Sequence, residues 1–456
     1  MTLSRPLGAL AAATLLFLSA CGGGGDAPRG AVVSASVVGS LSTAQIDEGT
    51  QHSGLQPLSG TAQCGVVAHQ VRYVTRDPRG REAEATTGVL VPSGASAACS
   101  GARPVMLYAH GTSLDSRKNM ASLADDETQL VLAMFAAQGY IVVAPNYLGY
   151  AGSSQNWHPY LNAEAQAVDM IDGLRAARRA LQVAGGPQPT GPLFITGYSQ
   201  GGHVAMATHR TLQRDHAGEF TVTASGPMAG PYNLAEFGRL INEAQLINAG
   251  AVLFTPLLLT SYQRSYGDVY TSPAQAYNPA YAATIESLLP STSSIETLVM
   301  QSRLPNDPTF TVKLFQNSTH PDGLILDSYR QDYVTNPNNG FRRAMERNTL
   351  LGWTPTRPVA MCSGAQDPTV FFAINQGAML ADLNSRLPAQ MQALGFDLED
   401  RGTLPAGTVG DLIYGGFQNA KTAAGTSAVA RYHSELVPPF CTALIRGFFQ
   451  QFLGPQ

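Results

Sequence analysis

Apolar and polar positions along the chain switch between two periods. Val66 to Val74 and Ala85 to Val91 are short, β-branched and apolar, and read as strands, with Asp77-Pro78-Arg79-Gly80 as the turn between them. Pro104 to Ala109 is an apolar run ending at His110-Gly111-Thr112. Leu130 to Gln138 has helical character and closes at Gly139, and Tyr140 to Ala144 is another continuous apolar run. Glu164 to Leu181 predicts an amphipathic helix: Ala167, Met170, Ile171, Leu174, Ala177 and Leu181 share one face, while Asp169, Asp172, Arg175 and Arg179 point away from it. Leu193 to Thr196 predicts a strand, Gly201 to Arg214 a helix and Phe220 to Ala224 a strand. Apolar strands alternating with helices predict an α/β architecture, a mostly parallel sheet with helices on both faces.

The rhythm stops after Met228 and resumes with Pro358 to Ser363, a strand, and Phe371 to Ala381, a helix. The intervening stretch carries Tyr, Pro, Asn and short helical pieces. An insertion of about 120 residues is far longer than an ordinary loop, so 228–350 is predicted to be an inserted, mainly helical cap. Residues 22 to about 45 are Gly, Ala, Ser and Val without either period and read as a linker.

The first residues are read as targeting rather than folding. Arg5 precedes the apolar run Leu7 to Leu18, about as long as a signal-peptide core. Leu18-Ser19-Ala20-Cys21 resembles a bacterial lipobox, in which the Cys is lipidated after cleavage, and Gly22 to Gly25 looks like the tether behind it. The expected organisation is a signal peptide at 1–20, a tether at 21–45 and a folded domain at 46–456. A membrane partner is expected through a lipid anchor on Cys21. Gly22 after the Cys favours the outer membrane or cell surface if the host is Gram-negative.

Composition narrows the function classes. The chain has 456 residues, 44% hydrophobic and only 13% charged, so a large core is affordable and disorder is not expected. Net charge is −4 with no basic run, which argues against a nucleic-acid partner. Of the 5 Cys, four remain beyond Cys21: Cys64, Cys99, Cys362 and Cys441. An even remainder in an exported chain suggests two disulfides, with three possible connectivities. No C-x-x-C or H-E-x-x-H appears, so no metal or cofactor is called for.

The chemistry centres on Gly197-Tyr198-Ser199-Gln200-Gly201. A serine hydroxyl needs a base to take its proton and donors for the anion formed on attack. G-x-S-x-G between a strand and a helix is the sharp turn by which the α/β-hydrolase fold lifts such a serine above its sheet, with the acid and then the histidine following in the chain. The expected oxyanion donors are the backbone N–H groups of Gln200 and of Thr112 in the upstream loop, with His110 a structural neighbour. His203, His209 and His216 lie on or near the serine's own helix and His320 in the cap, which leaves His433, just before a last helix, as the base. Asp367 follows a late strand and is the expected acid. Asp382, Asp397 and Asp411 are the alternatives, read as surface groups. Cys362 lies just before Asp367 and Cys441 just after His433, so Cys362–Cys441 would tie acid to base, and Cys64–Cys99 would close the N-terminal hairpin.

Several segments together resemble the secretory-lipase-like branch of the α/β-hydrolases from about residue 60 to the end. They are Gly197 to Gly201, Pro145 to Tyr150 with His158-Pro159-Tyr160-Leu161, Asp367-Pro368-Thr369-Val370 and His433 to Cys441. The resemblance implies Ser199, Asp367 and His433 as a triad, a lid inserted between sheet strands, and hydrolysis of carboxylic esters, a small-molecule or lipid ester being the expected substrate. Leu253, Phe254, Leu257, Tyr262, Tyr266 and Tyr270 would then line an acyl pocket, or pack the cap onto the core. A serine peptidase of the same fold is the alternative, without the propeller or amine-binding acid pair such enzymes add. A non-catalytic surface binding protein is a third possibility, disfavoured by the filled triad positions.

Overall fold

The computed structural model describes residues 15, 16 and 27–454. The expected signal peptide, Cys21 and residues 21–26 of the expected tether lie outside these apart from Leu15–Leu16, a two-residue strand, β1. The other strands are β2 (Val32–Leu41), β3 (Gly65–Arg76), β4 (Glu82–Ser93), β5 (Val105–Ala109), β6 (Ile141–Pro145), β7 (Leu193–Tyr198), β8 (Val222–Met228), β9 (Ala360–Ser363) and β10 (Leu394–Asp397). They form one sheet in the order β1-β2-β3-β4-β6-β5-β7-β8-β9-β10. β2, β3 and β4 pair antiparallel, β4 pairs antiparallel with β6, and every pairing from β6 to β10 is parallel.

Alternate side chains of the central strands enter opposite cores. Val105, Leu107 and Ile195 pack with the helices Ala163–Ala184 and Gln200–Asp215 on one face. Met106, Tyr108 and Phe194 pack with the last helix, Val437–Gln450, on the other. The helix predicted from Glu164 buries all six residues of its apolar face. Asp169 and Asp172, expected to point away, are buried as well. Asp169 accepts hydrogen bonds from the Tyr73 hydroxyl at 2.8 Å and Leu148 N at 3.1 Å. Asp172 takes Thr75 Oγ1 at 2.8 Å and the Arg29 and Arg175 guanidiniums. A single-helix pattern cannot show that β3 and the N-terminal segment cover that flank.

That segment corrects the expected tether. Residues 32–41 are β2, paired with β3 over Val32↔Tyr73 to Leu41↔Val66, and Ser42 caps the helix Thr43–Ser53 by a reciprocal capping box with Gln45. Serine and alanine between the valines hid the strand. Its stability comes from pairing with β3 rather than from an apolar run, and a domain start at 46 would cut a helix.

Between β8 and β9 the chain is helical, notably Leu234–Asn242, Ala251–Tyr266, Asp327–Thr335 and Gly340–Arg347, and has its own hydrophobic cluster. Leu253, Leu257, Tyr262 and Tyr270 are buried in that cluster, and Phe254 and Tyr266 pack against it. These side chains hold the cap together. Tyr262 donates to Leu161 O at 3.2 Å and Tyr270 to Glu286 at 2.8 Å.

Both expected disulfides are present. Cys64–Cys99 closes the β3–β4 region, and Cys362–Cys441 joins β9 to the last helix, with Cα–Cα distances of 5.6 and 5.4 Å. Among the described residues no helix is long and apolar enough to cross a membrane.

Candidate active site

β7 ends at Tyr198 and the next helix starts at Gln200, so Ser199 must reverse the chain in one residue. It does so at φ 57°, ψ −121°, a conformation that a residue with a side chain adopts at a cost. The flanking glycines permit it: a Cβ on Gly201 would stand 1.9 Å from Ala109 O, and one on Gly197 2.4 Å from the same atom. Ser199 N is tied to Met228 O of the adjacent strand at 3.0 Å.

Ser199 Oγ lies 2.7 Å from His433 Nε2, and His433 Nδ1 lies 2.5 Å from Asp367 Oδ2. The carboxylate can only accept while ionised, so Nδ1 carries the proton and Nε2 is free to take the serine's. The side chain of Asp367 is fully buried. Its other oxygen accepts from Thr369 N at 2.8 Å and Val370 N at 3.0 Å, which fixes the carboxyl plane. His433 sits in a π-turn, Tyr432–Leu436, at the head of the last helix. Such widened turns commonly mark functional positions.

The upstream loop lies against this turn. A Cβ on Gly111 would be 3.5 Å from Tyr198 O, and one on Gly201 would be 2.9 Å from His110 O. Gly111 N donates to Glu127 Oε1 at 2.9 Å, Tyr108 donates to the same oxygen at 2.9 Å, and Lys118 pairs with Oε2 at 3.1 Å. Thr112 Oγ1 bonds the Tyr160 hydroxyl at 3.1 Å. Gln200 N opens its helix, where an N–H has no partner within the helix. His110 is buried against Tyr147 with ring centroids 4.1 Å apart, as a structural neighbour. Burial, then the charge of Lys118, pushes its imidazole below the usual value.

Two supports were not foreseen. His158 Nδ1 faces Leu148 O at 2.8 Å, so it carries the proton, and the bare Nε2 receives the Gln200 amide Nε2 at 2.6 Å. Burial pushes His158 down to about 3, which keeps it an acceptor. On the other side Lys421 Nζ contacts Glu399 at 2.6 Å and Gln366 Oε1 at 3.1 Å, and Tyr432 donates to Glu399 at 2.6 Å. Burial alone would raise Glu399, but the hydrogen bonds from Lys421 and Tyr432 outweigh it and hold the carboxyl below its usual value. This network grips the residues immediately before Asp367 and His433. His158 stands within a segment conspicuous in the sequence, whereas Glu399 and Lys421 carry no local signal. Asp382, Asp397 and Asp411 are not at this site: Asp382 and Asp411 pair with Arg386 and Arg401, and Asp397 accepts from Ala365 N at 2.9 Å. Among the described residues no cluster of His, Cys, Asp or Glu could hold a metal ion.

Comparison with known proteins agrees with this fold. A family model described as the alpha/beta hydrolase family matches residues 106–353, more than half of the chain. Among solved structures, the chain is similar to LipA, a rice cell wall degrading esterase from Xanthomonas oryzae. The identity is 28% over 81% of this chain and 91% of that one, with a TM-score of 0.71. A ligand-bound form of the same esterase matches at 26% identity over 92% and 98%, TM-score 0.74. Lipase A of Candida antarctica, 11% identical over 81% of this chain and 76% of that one with a TM-score of 0.52, shares the fold. Among curated proteins, none matches the chain. The sheet, the serine turn and the family match lead to one conclusion: the chain belongs to the alpha/beta hydrolase family.

Proposed function

We propose that the chain is a serine hydrolase of carboxylic esters, an esterase or lipase with Ser199 as nucleophile, His433 as base and Asp367 as its orienting acid. The unbroken contact from Ser199 Oγ through His433 to Asp367, at 2.7 and 2.5 Å, carries this reading. His433 Nε2 takes the hydroxyl proton as Oγ bonds the ester carbonyl carbon, and Gln200 N and Thr112 N receive the oxyanion. The imidazolium then protonates the departing alkoxide, leaving an acyl-Ser199. Water, deprotonated by His433, attacks that acyl group, and the carboxylic acid leaves as Ser199 regains its proton. Asp367 stays ionised and stabilises the imidazolium in both halves.

The likeness to a rice cell wall degrading esterase supports ester over amide substrates. Two disulfides support an oxidising compartment, and the lipobox-like Leu18 to Cys21 supports export as a lipoprotein anchored through Cys21.

The test is a ladder of p-nitrophenyl acyl esters beside an aminoacyl p-nitroanilide, with Ser199→Ala as control. Ester turnover that falls by about 10⁴-fold or more in the variant is the expected result. Undiminished ester cleavage by the variant would remove Ser199 from the mechanism. Cleavage of the anilide alone would make the protein a peptidase, and inertness of well-folded protein toward both would make it a binding protein.

A further inference from the structure

The backbone carbonyl of His433 poses an accounting problem that the sequence around it creates. Within the π-turn, Val437 N donates five residues back, to Tyr432 O. His433 O therefore has lost the partner that an ordinary helical turn would give it. At the same spacing its own partner would be residue 438, and both 438 and 439 are proline, without an N–H. A buried carbonyl left unpaired is costly, so another donor must reach it.

That donor is the hydroxyl of Tyr198, 2.6 Å from His433 O, across 235 residues of chain. Tyr198 is the last residue of β7 and the immediate neighbour of Ser199. It is 7% exposed, and its ring lies 5.2 Å from the His433 ring.

We propose that Tyr198 is a positioning residue of the triad: its hydroxyl takes the carbonyl that the widened turn and Pro438 leave free, and so references the base's backbone directly to the nucleophile's. The inference rests on the reading of Ser199, His433 and Asp367 as a triad. Asp367 then sets the rotation of the imidazole, through Nδ1, while Tyr198 sets the height of the residue that carries it. Burial raises the Tyr198 hydroxyl well above its usual value, so it stays protonated and donating at neutral pH. The proline at 438 is thus part of the device, since an N–H there would compete for the same oxygen.

The test compares Tyr198→Phe, Tyr198→Phe/Pro438→Ala and Ser199→Ala with the parent, using p-nitrophenyl butyrate. Phosphorylation of the serine by a p-nitrophenyl dialkyl phosphate gives a single-turnover measure of nucleophile activation. In Tyr198→Phe, kcat and the phosphorylation rate should fall together by about tenfold or more with KM within twofold and an unchanged melting temperature. The double variant, which supplies a backbone N–H at 438, should recover at least part of that loss. An unchanged kcat in Tyr198→Phe overturns the inference. So does a loss that accompanies unfolding and is not recovered in the double variant. Should Ser199→Ala itself keep its turnover, the triad reading fails instead. A silent Ser199→Ala beside a fully active Tyr198→Phe removes this inference alone.

Discussion

Asp367 meets His433 with one oxygen and two backbone amides with the other, so its charge and its plane are separately constrained. Asp367→Asn would keep Oδ1 as an acceptor for the amides and turn an N–H₂ toward His433 Nδ1. The imidazole would then hold its proton on Nε2, facing Ser199. A kcat loss of about 10⁴-fold with folding intact is expected, measured by ester turnover and thermal melting. A loss below tenfold would show that the carboxylate does not set the tautomer. Ser199, Asp367 and His433 are legible in the sequence because each sits in a short pattern whose order along the chain is restricted by the fold. Tyr198, His158 and Glu399 are not, because each acts through a contact made only by folding. Tyr198 reaches across 235 residues to His433, and Glu399 across 33 to Tyr432. The burial of Asp169 and Asp172 escapes the helical pattern for a related reason, since that pattern sees one helix and not the strand that covers it.

At the level of elements, Asp367 and His433 stand on segments that the sheet does not bond to each other. Asp367 follows β9, and His433 leads into the last helix. Cys362–Cys441 spans 79 residues between them, against 35 for Cys64–Cys99. On chain-entropy grounds each bridge contributes about 4 kcal/mol, so they differ little in stability and differ in what they position. Replacing Cys362 and Cys441 by Ala should lower both the melting temperature and kcat at 25 °C. Replacing Cys64 and Cys99 should lower the melting temperature alone. Equal kcat in the two variants would count against a positioning role for the first bridge. The strands flanking these sites were legible as apolar runs. β2 and β10 were missed: β2 is half-exposed and rich in serine, and β10 has four residues with a glycine among them.

Over the whole molecule, four buried imidazoles oppose acid. His158 and His209 are pushed down to about 3 and His203 to about 4, in each case chiefly by burial, and His110 is lowered as well. In the unfolded chain the same groups titrate near 6.5, so there they bind protons that the fold refuses. The stability they contribute is complete above about 6.5 and is lost as pH falls from there toward 3. Asp169, raised to about 7 by burial, works the other way, because its ionisation opposes the fold as pH rises from about 4 to 7. His69 and His216 are lowered by burial too, and Asp397 is raised by it, so six imidazoles stand against two carboxyls and the melting temperature should fall between pH 7 and pH 5; a level or rising one would contradict these environments. The cap adds a different consequence. Ala229 N donates to Cys362 O at 2.8 Å and Ser225 N to Pro358 O at 3.0 Å, so the insertion leaves and rejoins the sheet at one point. Its seam with the rest is broad: Ser261 Oγ donates to Tyr160 O at 2.9 Å and Tyr262 to Leu161 O at 3.2 Å, Ala249 N donates to Pro368 O at 2.9 Å, and Ser116 N meets Ser291 O and Ser291 N meets Leu114 O at 3.0 and 2.8 Å. Doubling the length of a loop closed in this way costs only about 0.6 kcal/mol. Chain closure alone would therefore let one uninterrupted stretch replace another of different size above the same serine, but a graft has to reproduce the bonds that Ala249, Ser261, Tyr262 and Ser291 make across the seam.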